Sequence, residues 1–145
     1  MELFSSAFAA GNPIPRRHSC EGEDRSPPLR WSGVPADAVS LALIVDDPDA
    51  PVGTFTHWLA WGIRPGDGGL PEGRRAPREG RNGLREVGYR GPCPPPGHGA
   101  HRYFFRLYAL ASELDVRSGA GRDELERAIK DRVVAVAELV GTYQR

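Results

Sequence analysis

Glycine and proline interrupt this chain so often that no long helix can be written through most of it, with 18 glycines and 14 prolines among 145 residues. Proline removes a backbone donor and fixes φ, and glycine favours turns, so each interruption ends the element before it. The apolar residues are left in short stretches rich in β-branched and aromatic side chains. That pattern predicts a turn-rich, mainly β protein and excludes a helical bundle. No internal period of about 20 to 50 residues is visible, which excludes a solenoid. The length suits a single domain over residues 1–145 with one core.

Three stretches read as strands. Val39 to Val45 is aliphatic, too short for a lone helix, and ends at Asp46-Asp47-Pro48, so it reads as a buried strand delivering carboxylates to a sheet end. Phe55 to Ile63 carries large residues at successive positions, as a strand buried on both sides does, and simple alternation places His57 with Leu59, Trp61 and Ile63. His101 to Leu110 alternates His101, Tyr103, Phe105 and Leu107 onto one face. Further on, Asp123 as N-cap, Glu126 three residues later, and Leu125, Ile129, Val133, Val136 and Val140 at helical spacing predict a helix stopping at Gly141. Residues 64–90, rich in arginine and glycine, read as an exposed connection with little regular structure. Gly91 to Ala100 reads as a rigid shaped loop, suited to a pocket wall.

Composition narrows the function. Nineteen basic and nineteen acidic residues give a net charge of +0, so no global field attracts nucleic acid. No apolar run approaches the roughly 20 residues that a membrane-crossing helix needs. The N-terminus begins with an acid at Glu2 and has no continuous apolar core, unlike a secretory signal, and a cytoplasmic location is expected. Cys20 and Cys93 are too few for a disulfide scaffold or, alone, a structural zinc site. They are expected as small semi-buried thiols in a reducing compartment, with pairing to each other as the alternative. Trp58 and Trp61 fit two sides of a doubly buried strand, or a homodimer contact if one of them is exposed.

Asp47, His57 and His101 each stand where a buried strand meets a Pro/Gly-rich loop. An aspartate before proline is an ordinary turn initiator, and a histidine on an apolar face is often a satisfied core residue. Converging on one pocket, the three would offer donors and an acceptor of adjustable protonation, suited to a phosphate or carboxylate, with Tyr103 adding a hydroxyl on the same face.

Asp47-Pro48-Asp49-Ala50-Pro51, then His57-Trp58, then Gly91-Pro92-Cys93-Pro94-Pro95 and His101-Arg102-Tyr103 resemble the signature of the phosphatidylethanolamine-binding proteins, in particular the bacterial YbhB/YbcL, Raf-kinase-inhibitor-like branch. Ile14-Pro15, Cys20-Glu21-Gly22, Ser26 to Trp31 and Gly141-Thr142-Tyr143 extend the likeness over almost the whole chain. The resemblance implies a β-sandwich-like fold with a large central antiparallel sheet, a smaller sheet and peripheral helices, and one small anion-binding cavity at the sheet end. By that resemblance Asp47, His57, His101 and Tyr103 line the cavity, Pro95 and Cys93 form its wall, and Asp49 supports the loop. It implies a non-catalytic protein that needs no metal or cofactor and takes a small anionic ligand, a phosphoethanolamine headgroup or a phosphorylated side chain, with a kinase or other protein as possible partner. The competing class is a metal-dependent or acid/base hydrolase built on the Asp/His/His cluster. Neither a nucleophile elbow nor a His-Glu-x-x-His spacing accompanies the cluster.

Overall fold

The computed structural model describes residues 1–145. Eight strands and one α-helix follow one another as β1 (Glu2–Phe4), β2 (Leu29–Ser32), β3 (Ser40–Asp47), β4 (Phe55–Ile63), β5 (Gly68–Leu70), β6 (Arg78–Glu79), β7 (His101–Leu110), α1 (Arg122–Ile129) and β8 (Val133–Tyr143). The large sheet has the order β6-β4-β3-β7-β8 and the small one β1-β2-β5, with every pairing antiparallel. Strand β3 lies in the middle of the large sheet, and all eight of its residues are buried. Its unbroken aliphatic run is what a strand covered on both faces requires.

The two faces have separate apolar layers. Trp31 and Leu29 of the small sheet meet Leu43, Val45, Trp58, Phe105 and Leu107 of the large one. On the far side Ile44, Leu59, Trp61 and Leu110 pack under Leu125 and Ile129 of α1. Trp58 and Trp61 therefore serve opposite layers and are 1% and 0% exposed, so neither is free for a subunit contact.

Two register breaks in β4 decide which way its side chains face. Val45 pairs with Trp58 but Asp46 pairs with Thr56, which leaves His57 as an extra residue in a bulge. His57 is turned to the Trp58 side and away from Leu59 and Trp61, against the simple alternation expected from sequence. A second extra residue falls between Ala60 and Ile63, where Gly62 has φ +69°. It puts Ile63 in the layer of Trp58 and Ala60. The period of two holds only between bulges.

The expected long helix is also corrected. Gly121, not Asp123, is the N-cap, and the helix ends at Ile129. Asp131 takes the left-handed conformation at φ +68°, the chain reverses, and residues 133–143 pair with β7 from His101↔Tyr143 to Leu110↔Val133. Val133, Val136 and Val140 have helical spacing, but buried Ala137, Leu139, Gly141 and Tyr143 alternate as a strand does, and so many valines favour a pleated surface. The connection at 64–90 is exposed over most of its length yet contains β5, β6 and buried anchors at Leu70, Glu79 and Asn82. Asn82 organises its own turn, Oδ1 accepting from Leu84 N–H and Nδ2 donating to the Gly88 carbonyl. Cys20 and Cys93 are joined in a disulfide, so the expectation of two free thiols fails.

Candidate functional site

Three strand ends meet at one corner of the large sheet: the end of β3, the start of β4 and the start of β7. Around them lies a cavity of about 490 Å³. Asp47, His57, His101, Tyr103, Pro95 and Cys93, all named from sequence, line it. Asp49 does not reach the cavity; it accepts from the Arg102 backbone N–H, Nε and Nη2, each at 2.9 Å, and its own N–H donates to Asp47 Oδ1 at 2.7 Å. It fixes the loop that presents Asp47. Phe55, Leu84 and Pro51 add apolar wall at the mouth.

The bulge delivers His57 to this corner. Its Nδ1–H donates to the Arg90 carbonyl at 2.7 Å, while Arg90 N–H donates back to the His57 carbonyl at 2.9 Å. Nε2 is left without a protein partner. The ring stands edge-on to Tyr103, centroids 5.2 Å apart, and against Phe55 at 4.8 Å. His101 Nδ1–H donates to Asp47 Oδ2 at 2.6 Å, a buried charge-assisted contact. Its other nitrogen, Nε2, lies 2.6 Å from Nδ1 of His98. Tyr103 is 1% exposed and its hydroxyl has no hydrogen-bond partner.

Burial dominates the electrostatics. It lowers the pKa of His57 from the ordinary 6.5, against the opposing pull of the Arg90 carbonyl and the Asp47 charge. Burial likewise pushes the Tyr103 phenol upward, reinforced by the Asp47 carboxylate, so the hydroxyl stays a donor at any physiological pH. Arg90 is the one guanidinium on the lining; its Nη1 lies 3.1 Å from Asp24 and its Nη2 3.1 Å from Glu86. Asp24 also accepts from Gly91 N–H at 2.8 Å and so ties the loop to the N-terminal segment. No group of three His, Cys, Asp or Glu side chains is placed so that it could hold a metal ion.

Sequence reasoning missed His98, Arg90 and Asp24. His98 is three residues from His101 between two glycines, a signal open to reading; Arg90 was hidden among the other arginines of its segment. Asp24 is remote in sequence and carries no motif that would join it to the others.

A family model described as phosphatidylethanolamine-binding protein matches residues 4–144. A UPF0098 protein of Pyrococcus abyssi is 47% identical over 154 residues, an overlap of 100% of this chain and 86% of that protein. The crystal structure of a phosphatidylethanolamine-binding protein homologue from Chlamydia trachomatis is similar with a TM-score of 0.94 and 41% identity, over 99% of this chain and 97% of that one. Escherichia coli YbcL, described as a member of the mammalian family, gives a TM-score of 0.92 at 29% identity over 99% and 98%.

Proposed function

The chain belongs to the phosphatidylethanolamine-binding protein family, and on that premise we propose that it is a non-catalytic binding protein whose cavity takes a phosphate group, free or as a monoester. The observation that carries this reading is the Tyr103 hydroxyl, buried without a partner between two histidines. A buried polar group left unpaired costs about 1–3 kcal/mol, and a ligand oxygen would remove that cost. The lining carries Asp24, Asp47 and one guanidinium, so with neutral imidazoles the cavity has no positive field. An anion is held here by directed bonds and by a proton. The Nδ1–H of each lining histidine is committed to the protein, so Nε2 is the atom offered, and it meets a phosphate oxygen either as acceptor from P–O–H or as donor once protonated. Affinity therefore rises as the pH falls and His57 Nε2 gains its proton, which happens below the ordinary 6.5 because burial holds that ring's pKa down.

The protein contributes a rigid wall, a hydroxyl donor and two adjustable imidazoles, and no group on the lining is placed as an activated nucleophile. Titration with inorganic phosphate and with phosphoethanolamine, followed by imidazole NMR, tests the reading. Shifts at His57 and His101 that vanish in Tyr103→Phe and His57→Ala are the expected result. Binding unaffected by either substitution places the ligand elsewhere and overturns it.

A further inference from the structure

His98 is the residue at this corner that the binding reading leaves unused. It is an exposed residue on the loop tip between Gly97 at φ +77° and Gly99 at φ +91°, beside the cavity lining formed by Pro94, Pro95 and His101 and touching it through the His101 ring. Two main-chain bonds hold the tip, Gly97 N–H to the Arg145 carbonyl and His98 N–H to the Pro95 carbonyl, each 3.1 Å. The His98 ring meets His101 edge-on, centroids 4.9 Å apart, with Nδ1 2.6 Å from His101 Nε2.

His101 is 2% exposed, and its Nδ1 belongs to Asp47. Nε2 is thus the single atom by which His101 can address anything in the cavity, and His98 already holds it. One proton lies between the two rings. With His101 Nδ1–H given to Asp47, the neutral arrangement has His98 Nδ1–H donating to His101 Nε2. A phosphate oxygen that reaches Nε2 must displace this bond, because the nitrogen has one lone pair or one proton and cannot serve both.

We propose that His98 is an internal cap on the ligand site, a side chain that occupies the contact on His101 intended for a phosphate oxygen and swings out on two glycine hinges when that oxygen arrives. The proposal rests on the binding reading above. The cap lowers affinity by the bond that must be broken. It also discriminates among ligands, since only one that hydrogen-bonds to Nε2 as well as His98 does can displace it. A purely apolar visitor cannot. The groups facing His101 are Asp47 at Nδ1, His98 at Nε2 and the Tyr103 ring at 6.5 Å.

The test is calorimetric titration of wild type, His98→Ala and His98→Asn at one pH with inorganic phosphate and with phosphoethanolamine, alongside imidazole 15N shifts. Asparagine carries a δ-nitrogen at the same distance from the backbone, so it can rebuild the cap. The expected result is binding roughly tenfold tighter in His98→Ala for both probes, the scale of one net hydrogen bond, with His98→Asn back near wild type. A gain for phosphoethanolamine alone assigns the site to a headgroup, and an equal gain for both assigns it to the phosphate itself; both support the cap. If wild type binds and His98→Ala binds equally or more weakly, the cap is wrong while the cavity keeps its ligand. Should no variant bind either probe, the cavity reading fails and the cap falls with it.

Discussion

Asp46 and Asp47 are consecutive in β3 and serve opposite faces of the large sheet: Arg122 Nη2 approaches Asp46 Oδ2 to 2.7 Å beside the helix, and His101 Nδ1 approaches Asp47 Oδ2 to 2.6 Å in the cavity. Both carboxylates are buried, so each needs its partner. One pair anchors α1 to the sheet and the other sets the tautomer of a ligand-facing ring.

The two roles separate by substitution. Asp46→Asn leaves Arg122 short of a charge partner and should cost about 1–3 kcal/mol of stability with phosphate affinity unchanged. Asp47→Asn costs a similar amount and, in addition, weakens phosphate binding about tenfold, because an amide accepts from His101 Nδ1–H more weakly than a carboxylate and fixes the ring less firmly. Urea unfolding and calorimetry on the same two variants check this. Equal affinity losses would mean that the faces are not independent.

Acid sensitivity follows from His57. Burial holds its pKa in the folded protein below the 6.5 of an unfolded chain. Above that pH both states carry a neutral ring and its contribution to stability is fully present. As pH falls below about 6.5 the unfolded chain takes up a proton that the native ring resists, and the contribution is lost progressively until pH passes the folded value. His57→Asn carries an Nδ2–H in the place of Nδ1, keeps a donor for the Arg90 carbonyl and does not titrate. Its urea midpoint should fall less than that of wild type between about pH 7 and pH 5. Parallel curves for the two proteins would show that burial does not hold the folded ring's pKa below that of the unfolded chain.

Asp49 offers a test of the loop. The Arg102 side chain is the main cause that lowers its carboxyl from 3.8 to about 2. Its contribution is fully present above 3.8 and disappears as pH falls through about 2. In Arg102→Leu the side-chain contacts go but the residue 102 backbone N–H still donates. A carboxyl 13C titration should then place Asp49 well above 2 and close to 3.8, because burial offsets what the backbone bond still contributes. Stability at neutral pH should hardly change, since the pair is largely solvated.

Strands β3, β4 and β7 and the loop at Gly91–Ala100 were legible because they depend on local chemistry: β-branched and aromatic runs, alternation from His101 to Leu107, and prolines that fix a wall. The corner where Asp47, His57 and His101 meet was reached through motif resemblance and strand-end placement together. The orientation of His57 was not legible, since a bulge is a pairing event between two strands and leaves no mark in one of them. The exchange of helix for strand at 133–143 has the same origin, for β7 supplies the partner that decides between two periods. His98 became visible only when its ring was seen against His101.

The Cys20–Cys93 disulfide spans 73 residues of sequence and ties the N-terminal segment to the cavity wall, where both cysteines are on the lining. Closing a loop of that size restricts the unfolded chain and on the chain-entropy model is worth about 4 kcal/mol. Cys93→Ser, or reduction of the native protein by a dithiol, should lower stability by that order. Cys20 N–H still donates to the Pro92 carbonyl and Gly91 N–H to Asp24 after the bond is broken, so the wall loosens without detaching. Phosphate binding should accordingly weaken several-fold and not vanish. Urea unfolding of the oxidised, reduced and Cys93→Ser proteins, each followed by phosphate titration, measures both effects. A reduced protein with the midpoint and affinity of the oxidised one would show that Asp24 and the main-chain bonds hold the wall alone.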